Sequence, residues 1–170
     1  VRNIILTGFM GTGKSTVGRL VAAKLQREFI DMDTLIEQRE GRAITQIFAE
    51  SGEPYFRQLE ANLCRELAAQ SELVIATGGG ALVPEANLRV MEESGLVICL
   101  DCEPDTLWQR IGQSKNRPML ADQDEERFAR LQTLLEQRAP AYTRIEHHLD
   151  VTYLTLEEAA KRIYEWANDE

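Results

Sequence analysis

Near the start of the chain, Gly8-Phe9-Met10-Gly11-Thr12-Gly13-Lys14-Ser15 fits the spacing G-x-x-x-x-G-K-[ST], a loop that cradles a phosphate chain. Its glycines let backbone amides turn toward a β-phosphate, and the start of a helix adds positive potential. Lys14 at that spacing bridges the β- and γ-phosphates, and Ser15 ligates Mg²⁺. The implied chemistry is phosphoryl transfer from ATP. The competing role, an ordinary glycine turn with an exposed lysine, does not explain why a strand should enter the loop and a helix leave it.

Asp31 and Asp33 stand two residues apart at the end of an apolar run, Phe29 to Asp31. While a strand persists, both carboxylates project from one face beside the loop. One can hold a Mg²⁺-bound water while the other orients or deprotonates an attacking hydroxyl. Turn and helix-cap duty is the alternative for such aspartates. Gly78-Gly79-Gly80 directly follows another apolar run, and three glycines there suit close backbone approach to a ligand better than a flexible connector. Arg57, Arg110, Arg117 and Arg138 are candidate anion contacts, although any single arginine is more often a solvated helix face. Arg117 is placed to reach the transferred phosphate as an arginine finger supplied in cis.

These residues need a scaffold, and the apolar periodicity describes one. Asn3 to Thr7 reads as a strand, Thr16 to Leu25 as a helix, Phe29 to Asp31 as a strand, and Leu35 to Phe48 as two helical pieces broken at Gly41. Pro54 opens a helix carrying Phe56, Leu59, Leu63 and Leu67, and Leu73 to Ala76 is a further strand. Pro84 and Gly95 bracket a helix, Leu96 to Leu100 is a strand, and Pro104 opens the helix of Leu107, Trp108 and Ile111. Gln113 to Asp124 is polar and irregular before helical spacing resumes at Phe128, so residues 112–124 are expected to form a lid that closes over bound ligands. Leu149 to Thr152 reads as a last strand, and Thr155 to Glu158 as the capping box of a final helix. The expectation is a three-layer α/β fold: a five-stranded parallel sheet flanked by helices, with ligands at the carboxyl ends of the strands.

A chain of 170 residues suits a single domain over residues 1–170, and its 44% hydrophobic and 28% charged residues are ordinary for a globular protein. A net charge of -9 argues against nucleic-acid or membrane-surface partners and makes any anion site local. Apolar runs are too short to span a bilayer and the N-terminus enters a strand without a cationic flank, so a cytoplasmic location is expected. Three cysteines cannot pair fully, which weighs against a disulfide framework. Cys99 and Cys102 form C-x-x-C, but positions three apart on a strand face opposite ways and no second ligand pair follows; strand packing is the reading. His147 and His148 lack an acidic or cysteine partner at ligand spacing and read as surface residues.

Across essentially its whole length the chain resembles the shikimate kinases. The resemblance rests on Gly11-Thr12-Gly13-Lys14-Ser15-Thr16, Asp31-Met32-Asp33, Gly52-Glu53-Pro54-Tyr55-Phe56-Arg57, Thr77-Gly78-Gly79-Gly80, Arg117-Pro118-Met119-Leu120 and Arg138-Ala139-Pro140-Ala141-Tyr142. It implies a nucleoside-monophosphate-kinase-like P-loop fold and transfer of the ATP phosphate to the 3-hydroxyl of shikimate on the route to chorismate. It further implies that Gly11 to Thr16, Arg110 and Arg117 bind nucleotide and that Ser15 and Asp31 serve Mg²⁺. By the same resemblance Arg57, Arg138 and Gly79 hold the shikimate carboxylate, Gly78 and Gly80 lie beside it, and Asp33 binds ring hydroxyls. Lys14, Asp33 and Arg117 are the catalytic candidates, and a monomer is expected. Residues 151–157 differ from many relatives, which leaves the adenine contacts open. Gluconate kinases and nucleoside monophosphate kinases share the loop and lid, but a nucleoside monophosphate needs a phosphate clamp and a base pocket. A regulatory module without catalysis would have no need of intact Lys14, Ser15, Asp33 and Arg117.

Overall fold

The computed structural model describes residues 2–112 and 121–169. Five strands, β1 (Asn3–Gly8), β2 (Glu28–Asp31), β3 (Leu73–Ala76), β4 (Gly95–Asp101) and β5 (His147–Asp150), form one sheet in the order β2-β3-β1-β4-β5. Every neighbouring pair is parallel. Between and after them run α1 (Lys14–Leu25), α2 (Met32–Glu40), α3 (Ile44–Ser51), α4 (Glu53–Ala68), α5 (Glu85–Ser94), α6 (Pro104–Gly112), α7 (Ala121–Tyr142) and α8 (Leu156–Asp169). Among the described residues no helix is long and apolar enough to cross a membrane.

The near-continuous apolar runs of the inner strands follow from burial on both sides, as a parallel sheet requires. Alternate residues enter different cores. Ile5, Ile75, Val97 and Cys99 pack with Met32, Phe56, Leu63 and Met91, under α2 to α5 and the end of α7. Ile4, Leu6, Val74, Ile98 and Leu100 pack with Val17, Val21, Ala160 and Ile163 of α1 and α8. Each of these large side chains, removed from water, contributes roughly 1.5–3 kcal/mol before entropy is set against it. Phe9, Leu107 and Leu131 form a third, smaller cluster beneath the loop that follows β1.

This topology decides where a ligand sits. The chain leaves central β1 through α1 to the β2 edge, returns as β3, then crosses to β4 on the other side of β1. Connections on either side of β1 diverge at its carboxyl end, opening a crevice there.

Three expectations need correction. Asp33 is not on strand β2, which stops at Asp31; it occupies the first turn of α2, so the face shared with Asp31 is not that of one strand. The helix after the expected lid begins at Ala121 rather than near Phe128. Ala-Asp-Gln-Asp-Glu-Glu lacks an apolar stripe, yet acidic residues suit a helix N-terminus, so polarity there was no sign of irregular chain. The last strand is shifted two residues toward the N-terminus, spanning His147–Asp150. Residues 113–120, and Arg117 with them, lie outside the described residues. The box at Thr155 is present as expected: the Glu158 backbone N–H donates to Thr155 Oγ1 at 3.1 Å, and the Thr155 N–H to Glu158 Oε2 at 2.8 Å.

Candidate active site

The loop between β1 and α1 turns through two left-handed glycines, Gly11 at φ 81° and Gly13 at φ 90°, conformations that side chains rarely allow. Lys14 opens α1 and folds back so that Nζ donates to the carbonyls of Gly8 at 2.8 Å and Phe9 at 2.9 Å. Burial of that ammonium lowers its pKa to about 8, against the opposing pull of Asp33. Thr12 turns inward: its buried hydroxyl donates to the Phe9 carbonyl at 2.8 Å, which leaves its backbone as the part available to a ligand.

Gly11, Gly13, Lys14, Ser15 and Thr16 line a cleft of about 450 Å³ together with Asp31, Asp33, Arg110, Met10, Thr34 and Thr77. Ser15 donates to Asp31 Oδ2 at 2.5 Å, while Asp31 Oδ1 accepts the Thr34 N–H at 3.1 Å and so caps α2. Asp31 therefore does cap α2, the alternative duty its position offered, while its other oxygen faces Ser15. Arg110 reaches the cleft from α6, and its guanidinium donates to the Val151 carbonyl at 3.1 Å.

A second group converges on the glycine strip after β3. A Cβ on Gly78 would lie 2.7 Å from Asp33 Oδ1 and 3.0 Å from Glu60 Oε2; one on Gly79 would lie 2.8 Å from Arg138 Nη1; one on Gly80 would lie 2.7 Å from Arg57 Nη1. None of the three adopts a positive φ, so the strip is glycine for want of space rather than for backbone freedom. Four side chains from α2, α4 and α7 thus press against three consecutive residues. Asp33 is raised above the ordinary carboxylate value, first by burial and then by Asp31, with Lys14 opposing.

Two further residues belong here that the sequence reading did not single out. Glu60, 2% exposed, accepts from Arg57 Nη1 at 2.5 Å, and burial raises its pKa against the pull of that arginine. Its signal was available: Phe56, Glu60, Leu63 and Leu67 share one face of α4, and an acid on an apolar stripe needs a partner. Tyr142 donates to the Gly79 carbonyl at 2.5 Å and follows Arg138 by one helical turn. Arg138 also stacks over Phe9, 5.2 Å from its ring centre, which ties this group to the loop after β1. Together these groups offer an anion cradle, an oxygen-donor pair at Ser15 and Asp31, and a carboxylate beside a lysine.

The Shikimate kinase family model matches residues 10–168. A shikimate kinase of Pelotomaculum thermopropionicum is 42% identical over 163 residues, covering 96% of this chain and 94% of that protein. Among solved structures, a shikimate kinase of Bacteroides thetaiotaomicron superposes with a TM-score of 0.89 at 36% identity, covering 98% of each chain. One from Acinetobacter baumannii, solved in complex with shikimate, gives 0.87 at 34% identity over 99% of this chain and 94% of that one. A gluconokinase of Sinorhizobium meliloti, 21% identical with a TM-score of 0.60, shares the fold.

Proposed function

The chain belongs to the shikimate kinase family, and from that premise we propose that it transfers the γ-phosphate of ATP to the 3-hydroxyl of shikimate, giving shikimate 3-phosphate and ADP on the route to chorismate. The observation that carries this reading is the meeting of Arg57, Arg138 and Asp33 on the Gly78–Gly80 strip, beside Lys14. Two guanidiniums next to one carboxylate suit an acceptor that has a carboxylate and neighbouring hydroxyls.

In this mechanism the amides of Gly11 to Thr16 hold the β-phosphate at the start of α1, and Lys14 exchanges its two carbonyl contacts for β- and γ-phosphate oxygens. Ser15 and Asp31 would hold Mg²⁺; a hydroxyl and a carboxylate already 2.5 Å apart are the hard oxygen donors that ion takes. When bound, Mg²⁺ supplies charge neutralisation on the phosphate oxygens. Arg57, Arg138 and the Gly79 backbone grip the shikimate carboxylate, with Gly78 and Gly80 giving room for the ring. Asp33 orients the 3-hydroxyl and receives its proton as the new O–P bond forms and the bond from Pγ to the bridging oxygen of ADP breaks. Its raised pKa brings it nearer the value a general base needs. Arg110 contacts nucleotide on the α6 side, and the family resemblance assigns Arg117, outside the described residues, to the ATP phosphates. Cytoplasmic location and a monomeric state complete the reading.

A coupled ADP-release assay with shikimate, gluconate and nucleoside monophosphates as acceptors tests it. Turnover is expected with shikimate alone. Equal or faster turnover with either of the other acceptors would overturn the assignment.

A further inference from the structure

The reading of Cys99 and His148 from sequence spacing is incomplete, because the sheet brings together what the chain separates. In the parallel register of β4 and β5, Cys99 lies opposite His148. Asp101, two residues beyond Cys99, projects from the same face of β4. The three side chains place one ligand atom each within 4.8 Å of one another, the one such grouping of Cys, His, Asp or Glu among the described residues.

The hydrogen bonds identify what that geometry accommodates. His148 Nε2 lies 3.0 Å from the Ile145 carbonyl, an acceptor only, so this nitrogen carries a proton. Nδ1 lies 2.7 Å from Asp101 Oδ2, and the Cys99 thiol donates to Asp101 Oδ1 at 3.5 Å. The thiol proton and the contact between Nδ1 and Asp101 therefore lie in the space between three potential ligands. An outer N–H held by a backbone carbonyl is also the arrangement that orients a metal-binding imidazole.

We infer that Cys99 Sγ, Asp101 Oδ and His148 Nδ1 form a binding site for a borderline-soft divalent cation of the zinc class, separate from the oxygen-donor pair Ser15 and Asp31. Charge balances in the exchange. Thiolate, neutral imidazole, carboxylate and a dication sum to zero, and the thiol proton leaves as the cation enters. The mixed sulfur, nitrogen and oxygen set selects Zn²⁺ or Co²⁺ over Mg²⁺, which prefers oxygen and keeps its waters. The site is reachable, since the side chains of His148 and Asp101 are 33% and 44% exposed. The open side leaves a fourth position to water. Cys99 itself is fully buried, and burial raises its thiol well above the ordinary value, so it becomes thiolate only when a cation compensates the charge.

The test uses the full chain, reduced and without nucleotide, titrated with Co²⁺ and Zn²⁺ alone. Expected are a thiolate-to-Co²⁺ charge-transfer band saturating at about one equivalent, and proton release from the thiol on Zn²⁺ binding, read by calorimetry across buffers of different ionisation enthalpy. The band should survive substitution of Cys64 and Cys102 by serine, disappear in Cys99→Ser, and resist excess Mg²⁺. His148→Gln and Asp101→Asn, both at the open edge, should each weaken Zn²⁺ binding by about tenfold or more, even if the buried Cys99→Ser variant fails to fold. Absence of a thiolate band in the native protein would show a hydrogen-bonded cluster only and overturn the site. Unchanged Zn²⁺ affinity in His148→Gln would overturn it as well.

Discussion

The proposed nucleotide half of the cleft and the proposed acceptor half are built by opposite strategies. The proposed nucleotide half centres on one unbroken stretch, Gly8 to Thr16, whose contribution is mostly backbone: three glycines at positive φ, Gly8, Gly11 and Gly13, turn the chain, and of its side chains Lys14 and Ser15 are the ones assigned a part, with Asp31 and Arg110 joining from β2 and α6. The acceptor half is assembled from side chains on α2, α4 and α7 that meet over three glycines after β3. A backbone site needs local conformation; a side-chain site needs the whole sheet and its helices in register. Substitutions should therefore fail differently in the two halves, by distortion in the first and by displacement in the second.

The largest effect is expected at Lys14. Lys14→Met should lower turnover by roughly 10²–10³ or more, because it removes a charge placed where charge develops. It should at the same time stabilise the ligand-free protein. The folded-state pKa of about 8 lies below the ordinary 10.5, so the fold disfavours the ammonium. That destabilising contribution is complete below pH 8 and fades as pH rises toward 10.5. Thermal melts should show the variant ahead of the native protein near pH 7, with the gap closing in alkali. For the native enzyme, kcat/KM for ATP should fall above about pH 8, where free Lys14 loses its proton. A native-like turnover, or a less stable variant at neutral pH, would break the picture of a strained catalytic lysine.

Next come the acceptor arginines. Arg138→Ala and Arg57→Ala should each weaken shikimate binding by roughly 1.5–3 kcal/mol, about tenfold to over a hundredfold. Nucleotide affinity should change little. Arg57→Ala has a further consequence, since it strips Glu60, 2% exposed, of its guanidinium and leaves a buried acid to protonate. Arg57→Ala should thus lose more thermal stability than Arg138→Ala, and Glu60→Gln should restore part of it in the double variant. Titration calorimetry with shikimate and with nucleotide separates the two halves directly. Equal losses for both ligands would mean that the arginines support the fold rather than the acceptor.

The same contrast explains what could be read before the fold was known. The loop after β1 was legible because its glycines, lysine and serine are consecutive, and the alternation of strands and helices was legible from apolar periodicity. The partnership of Arg57, Glu60 and Arg138 was not, because it depends on α4 and α7 converging over β3. Asp33 was expected on a strand but starts a helix, since two carboxylates at a strand end carry no local signal for where the strand stops. Cys99 and His148 were dismissed for want of a partner in sequence, and strand register supplied it.

The smallest expected effect gives the sharpest distinction, because it turns on a single methyl group. In Gly79→Ala the backbone needs no rearrangement, since Gly79 has no positive φ, and beyond Arg138 the nearest neighbour of the new Cβ is the Gly8 carbonyl at 3.6 Å. What the methyl meets is Arg138 Nη1 at 2.8 Å, the mobile tip of a long side chain. The fold should persist with an unchanged melting temperature while Arg138 is pushed off its position, weakening shikimate binding by roughly 0.5–1.5 kcal/mol, about two- to tenfold. If displacement of Arg138 is the whole mechanism, the loss must vanish where Arg138 is already absent, so Gly79→Ala should be nearly silent in an Arg138→Ala background. Gly13→Ala supplies the opposite case: at φ 90° the substitution strains the loop itself and brings Leu156 Cδ2 to 3.0 Å, so no second substitution of a side chain in the acceptor half should relieve its loss of nucleotide affinity. Full additivity of Gly79→Ala with Arg138→Ala would place the role of Gly79 in its backbone and make the two halves alike.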